Sequence, residues 1–264
     1  MNSTQLLHGK RILVVVAHPD DELLGLGATL HKIIRESGNH ITKESKERWE
    51  NEGGATKPTP VNPGAQVKVV ILGEGLTSRD DSRDSQKWEA ELKNHQQNIQ
   101  DARQIIGYHG LSIYQFPDNR FDSVPLLDIV KIVEKEKKSF DPDVILTHHS
   151  GDVNIDHQLT FQAVITATRP MEHERVTGII TFETPSGTEW IPSTDARQFV
   201  PNLFIEVDEE DVLAKIDAME CYQYEKRAYP HPRSPEALKI RAQYWGMTVG
   251  KHFAEPFCVV RWIV

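Results

Sequence analysis

Apolar residues along the first two thirds of the chain follow two alternating patterns. Residues 11–17 are β-branched and continuously apolar after Arg11, which predicts a strand buried on both faces of a parallel sheet. From Asp21 to Arg35 the apolar residues Leu23, Leu24, Ala28, Leu30, Ile33 and Ile34 fall at near-helical spacing, as in the return helix of a βαβ unit. Val67 to Leu72 predicts the next strand, followed by a Gly-rich, charged loop to about Ser85 and a long helix to about Ile106. A short strand is expected over Ile113–Phe116, a helix over Leu126–Lys138 and a buried strand over Asp143–Thr147. The helical pattern returns over His157–Arg169, and Gly178–Phe182 and Asn202–Val207 predict later strands; the C-terminal third is less regular. This alternation predicts an α/β fold with a Rossmann-like, doubly wound, mostly parallel sheet flanked by helices.

Between Glu36 and Gln66 the periodicity is lost and Pro58, Pro60 and Pro63 gather, so 36–66 is expected to be a flexible surface insertion that takes no part in catalysis. The 264 residues are expected to form one domain, 1–264, with that insertion inside it. With 38% hydrophobic and 26% charged residues the chain has the material for a core. Lys and Arg number 30 against 39 Asp and Glu, a net charge of −9, which argues against an electrostatic partnership with nucleic acid or an anionic membrane. The two cysteines, Cys221 and Cys258, cannot build a disulfide scaffold or a Cys-type structural zinc site and fit a reducing compartment. The longest aliphatic run, Ile12–Ala17, is too short to cross a bilayer. A cytoplasmic protein with no integral membrane segment is expected, its oligomeric state left open.

Open α/β sheets place ligands beyond the carboxyl ends of their strands, and two predicted strands end in metal-capable side chains. In Ala17-His18-Pro19-Asp20-Asp21-Glu22, an imidazole and a carboxylate three residues apart across a tight Pro turn can converge on one cation, while Asp20 points elsewhere and stays free as a base. The second cluster, Thr147 to His157, includes His148, His149, Asp152, Asn154, Asp156 and His157 and can supply a third ligand. A His/Asp/His set leaves one coordination position open for water, as catalytic zinc requires. Gly25-Leu26-Gly27 is no dinucleotide fingerprint, because Leu30 stands where the third glycine belongs.

With these residues in view, the chain resembles the GlcNAc-phosphatidylinositol de-N-acetylase family, the PIG-L or LmbE-like zinc deacetylases. Ala17-His18-Pro19-Asp20-Asp21-Glu22 matches the family's N-terminal signature, and the resemblance extends to the Ala254-Glu255-Pro256-Phe257 region. It implies a Zn2+ ion, with Fe2+ as the alternative, on His18, Asp21 and His157, and Asp20 as the base that activates metal-bound water. Many family members end the second motif in His-Pro-Asp-His; here it is Asn154-Ile155-Asp156-His157, so Asn154 replaces a histidine thought to assist the oxyanion. An amide donates a hydrogen bond but relays no proton, so Asn154 is expected to bind substrate, and the acid is expected to be another group or Asp20 itself. Because some deacetylases of the superfamily bring a C-terminal histidine to the metal, His231 in Tyr229-Pro230-His231-Pro232-Arg233 is expected as the general acid beside Asp20.

The activity implied is removal of the N-acetyl group from an N-acetylated amino sugar or glycoconjugate. Alternatives are a metal-dependent phosphoesterase and a non-catalytic sugar- or metal-binding module. Arg79, in the loop after the second strand, is expected to hold a phosphate or sugar hydroxyl. Glu183, just past a later strand, is expected to bind substrate hydroxyls, and Trp190 offers a stacking face. His148 and His149 are expected to orient the site without ligating the metal.

Overall fold

A computed structural model describes residues 6–39 and 64–264, so most of the expected 36–66 insertion lies outside the described residues. At the centre is β1 (Arg11–Val16), buried from Ile12 to Val16. β2 (Gln66–Gly73) and β4 (Val144–His148) pair with it in parallel. β3 (Gly110–Phe116) extends the sheet beyond β2, and β5 (Gly178–Phe182) beyond β4, again in parallel. β7 (Ala254–Trp262) runs antiparallel to β5, and β6 (Leu203–Glu206) closes that edge antiparallel to β7. The described residues thus form one seven-stranded, mostly parallel sheet in the order β3-β2-β1-β4-β5-β7-β6.

Strand periodicity divides the core into two layers. Ile12, Val14 and Val16 face helices α1 (Asp21–Asn39), α2 (Glu89–Ile106), α5 (Glu209–Met219) and α6 (Pro235–Thr248). Leu13, Val15 and Ala17 face α3 (Leu126–Phe140) and α4 (Ile155–Ala167) on the other side. The chain steps outward from β1 through β2 to β3, then crosses to the opposite face and returns beside β1 as β4. That reversal opens a crevice past the carboxyl ends of β1 and β4. Two regular elements of the C-terminal third, α5 and β7, lack a clean sequence pattern because buried Lys215 and Glu255 interrupt their apolar faces.

Helix α1 is broken at Leu26 (φ −149, ψ 17). Gly25 lets it settle on β5, since a Cβ there would lie 2.1 Å from the Phe182 ring. The break strands backbone groups that the C-terminal third satisfies. Lys215 Nζ donates to the Leu24 carbonyl (2.9 Å) and to Glu255 Oε1 (2.7 Å), and the Glu255 carboxylate accepts from the amides of Ala28 (3.3 Å) and Thr29 (2.7 Å). The helix whose first residue is Asp21 is therefore spliced by a buried ion pair.

Candidate active site

The turn after β1 carries His18, Asp20 and Asp21 to one lip of the crevice, and the loop from β4 into α4 carries Asp152, Asp156 and His157 to the other. His18 Nε2 donates to Asp156 Oδ2 (2.8 Å), whose Oδ1 accepts from the Phe121 amide (2.9 Å). That bond fixes the ring so that Nδ1 lies 3.5 Å from Asp21 Oδ2. His157 Nε2 is 3.4 Å from the same oxygen. Its Nδ1 lies 3.1 Å from Asp152 Oδ2, off the line of a formed hydrogen bond. Asp152 is itself held by the Asn154 amide (2.8 Å) and the Thr188 hydroxyl (2.8 Å).

These donors fit a divalent ion. Ligands about 2.0–2.1 Å from a tetrahedral zinc stand about 3.3–3.4 Å from one another, close to the separations around Asp21 Oδ2, and the three side chains offer ligand atoms within 4.8 Å of each other. A second convergence, His18 with Asp118 and Asp156, uses the other ring nitrogen. Its 2.8 Å contact is a direct hydrogen bond, too close for two donors sharing one ion. The field in the pocket also calls for positive charge. Burial opposes protonation of His157, but Asp21 and Asp152 outweigh it and raise its pKa to about 9. Asp21, which burial alone would push up, is held well below the usual carboxylate range by His157 and His148. A divalent ion answers the same field and competes with those protons.

Asp20 stands beside this trio with a left-handed backbone (φ 101) and is 2% exposed. Its amide donates to Glu22 Oε2 (3.1 Å), and Glu22 Oε1 accepts from the Tyr222 hydroxyl (2.8 Å). Strain of order 1–3 kcal/mol at such a residue is thereby held by a buried clamp. Burial raises the Asp20 pKa well above its ordinary value, against the pull of Arg233. Asp20 Oδ2 accepts from Arg233 Nη1 (2.8 Å), whereas Oδ1 has no partner among the described residues. Asp20 lines a cavity of about 250 Å3 together with His18, Arg79, Asp118, Asn154 and Arg233.

The other expected site residues divide. Arg79 lines the cavity, its guanidinium bonded to Glu225 and to the Gly75 carbonyl (2.9 Å). Asn154 lines it too, but as the N-cap of α4: its Oδ1 accepts from the Asp156 amide (2.9 Å) and its Nδ2 donates to Asn119 Oδ1 (2.9 Å). His231 is not among the cavity's lining residues. Its Nδ1 accepts from the Arg233 amide (3.2 Å) and its ring meets the edge of Trp190, so Arg233 is the residue of that segment that reaches Asp20. Glu183 does not open onto this cavity either; Arg241 binds it through Nε (2.6 Å) and Nη2 (2.7 Å), and Trp245 Nε1 donates to it (2.7 Å). His148 Nε2 accepts from the Ala17 amide (3.0 Å), and its ring stacks 3.9 Å from that of His157. Its pKa falls to about 4 through burial and the nearby His157. His149 turns away to the Arg197 carbonyl (2.8 Å).

Sequence reasoning gave no role to Asp118, Asp152, Asp156 or Arg233. Asp152 and Asp156 lie inside the second cluster, and Asp118 follows β3 at the same sheet edge, so the strand-end rule reaches all three.

Residues 54–168 match the family model PIG-L, described as GlcNAc-PI de-N-acetylase. The matched stretch contains His157; the turn bearing His18 and Asp21 precedes it. No curated protein sequence matches the chain. Among solved structures the chain is similar to N,N'-diacetylchitobiose deacetylase from Pyrococcus horikoshii, with TM-score 0.64, 15% identity, and 96% of this chain and 84% of that one covered. It is similar to a zinc inhibited form of teicoplanin deacetylase, with TM-score 0.64, 15% identity and coverage of 95% and 98%. It is equally similar to GalB, the 4-carboxy-2-hydroxymuconate hydratase of Pseudomonas putida, with TM-score 0.64, 17% identity and coverage of 97% and 98%. At these identities the likeness is one of fold.

Proposed function

For a chain whose residues 54–168 match the PIG-L family model, we propose a metal-dependent hydrolase that removes the N-acetyl group from an N-acetylated amino sugar or its conjugate. The observation that carries this is the convergence of His18, Asp21 and His157 beside Asp20, which lines the cavity with His18 and whose Oδ1 has no partner among the described residues. Zn2+ suits two imidazoles and a carboxylate, with Fe2+ as the alternative, and when bound such an ion supplies Lewis acidity to the water and to the acyl oxygen. Asp156 and Asp152 orient the two histidines. Asp20 takes the proton of the attacking water at Oδ1 and returns it to the leaving nitrogen, a dual role suited to a carboxyl of raised pKa. Asn154 moves no proton. Since strands from both ends of the chain share one sheet, we read 1–264 as one domain. Its two thiols are free, and we place the enzyme in the cytoplasm.

Three arginines at the cavity, Arg79, Arg227 and Arg233, favour one second reading, addition of water to a carboxylate-bearing substrate. The test is acetate and free-amine release from N-acetylglucosamine, N,N'-diacetylchitobiose and N-acetylglucosaminyl glycosides by the metal-loaded protein. Acetate and amine are expected in equal amounts, lost on chelation and restored by metal. Absence of acetate across the panel, with hydration of an unsaturated dicarboxylate or phosphate release from a phosphoester, would reverse the assignment.

A further inference from the structure

We propose that Arg233 is a catalytic residue of this deacetylation, its Nη2 donating to the acyl oxygen as that oxygen gains charge. The proposal rests on the deacetylase function above and assigns the oxyanion partner for which Asn154 is committed elsewhere.

Arg233 is held on two sides and left open on the third. Its Nε donates to the Ser186 hydroxyl (2.6 Å), and its Nη1 donates both to Asp20 Oδ2 (2.8 Å) and to Glu225 Oε2 (3.0 Å). Nη2, with two further N–H groups, has no partner among the described residues, and the side chain lines the cavity. An arginine serving only as a structural brace presents its fork to one carboxylate, as Arg241 does to Glu183 through Nε and Nη2. Arg233 instead crowds two carboxylates onto one nitrogen and keeps the other nitrogen unspent next to the base.

The rival donors are occupied. Arg79 uses Nη1 on the Gly75 carbonyl and Nη2 on Glu225. Arg227 turns Nη1 to the carbonyls of Tyr224 (2.9 Å) and Lys226 (2.9 Å) and holds Nη2 in an ion pair with Glu225 Oε2 (3.7 Å). His148 Nε2 is an acceptor for Ala17, and both ends of the Asn154 amide are used.

The step balances without a proton from arginine, whose pKa forbids one. The water oxygen bonds to the acyl carbon and one water proton passes to Asp20 Oδ1. The carbonyl π pair moves onto oxygen, where the Nη2 hydrogens meet it. The pair then returns, the C–N bond breaks, and nitrogen keeps the bonding pair and takes the proton from Asp20. Amine and acetic acid leave, the acid ionising to acetate. During attack, negative charge departs from the carboxylate bound to Nη1 and appears on the oxygen that Nη2 meets. Nη2 therefore gains a charged partner only as the reaction proceeds, which places its effect on kcat.

The test compares wild type with Arg233→Met and Arg233→Lys. Arg233→Met is expected to lower kcat for acetate release about 10²–10³-fold, the usual loss for one oxyanion donor, while KM moves by less than about threefold. Metal content is expected to stay at the wild-type level, and millimolar guanidinium to restore part of the turnover. Glucosamine N-methylphosphonamidate, a tetrahedral mimic, is expected to lose affinity in parallel with kcat when binding is followed by calorimetry. Arg233→Lys retains charge beside Asp20 but lacks the second nitrogen, and is expected to show reduced kcat at an unchanged melting temperature. Wild-type kcat in either variant, a loss confined to KM, or undiminished phosphonamidate binding by Arg233→Met would overturn the assignment. Failure of the wild type itself to release acetate would instead remove the function on which it rests.

Discussion

Replacing Asp20 by asparagine is expected to slow acetate release about 10²–10⁴-fold, the range lost with a general base, and to leave metal content and fold unchanged. The amide has the shape of the carboxylate and still offers an oxygen to Arg233 Nη1, so the 2.8 Å contact that anchors the side chain survives. What disappears is the basic oxygen of a residue that lines the cavity. Asp20 is no part of the converging trio, so metal analysis of the variant separates loss of the base from loss of the ion. Turnover within a few-fold of wild type, or a parallel loss of metal, would show that Asp20 has another task.

Glu255→Ala is expected to be the most damaging single change remote from the reacting atoms. Glu255 is 3% exposed and Lys215 is 7% exposed. Removing the carboxylate strands the Lys215 ammonium in the interior and leaves the Ala28 and Thr29 amides at the break in α1 without their acceptor. Breaking a buried pair from one side costs about 3–5 kcal/mol, which for a chain of this size lowers the melting temperature by roughly 10 °C. Because α1 begins at Asp21, the same variant is expected to bind metal more weakly than wild type below its melting transition. A loss under about 1 kcal/mol, the level of an exposed pair, measured by denaturant titration, would show that the helix break needs no such splice.

Much of this was legible because burial on both faces leaves an unbroken apolar run. β1, β2, β4 and β5 announce themselves in that way, and the strand-end rule then points at His18, Asp21 and the cluster ending in His157. Illegibility has equally local causes. β7 contains the buried Glu255 followed by Pro256, so its pattern does not read as a core strand, and its neighbour α5 buries Asp211 and Lys215. With α6 unread, Glu183 is assigned to substrate hydroxyls, whereas Arg241 and Trp245 from that helix occupy it. That Arg233 and not the expected His231 meets Asp20 depends on a contact 213 residues apart in the chain, which no local pattern shows. Hydrogen bonds from the His231 amide to Ala228 and from the Ser234 amide to His231 fold the segment into successive turns, and only Arg233 is carried from it to Asp20.

The proposed function requires that the ends of β1 and β4 hold one divalent cation. Its most direct test is metal titration of the purified protein with X-ray absorption at the zinc edge, wild type beside His157→Ala. The expected result is one tightly held ion per chain, coordinated by two imidazoles and a carboxylate, with affinity collapsing in the variant. A wild type that binds no ion at saturating zinc, or a His157→Ala protein that binds it as tightly with the same spectrum, would contradict the account.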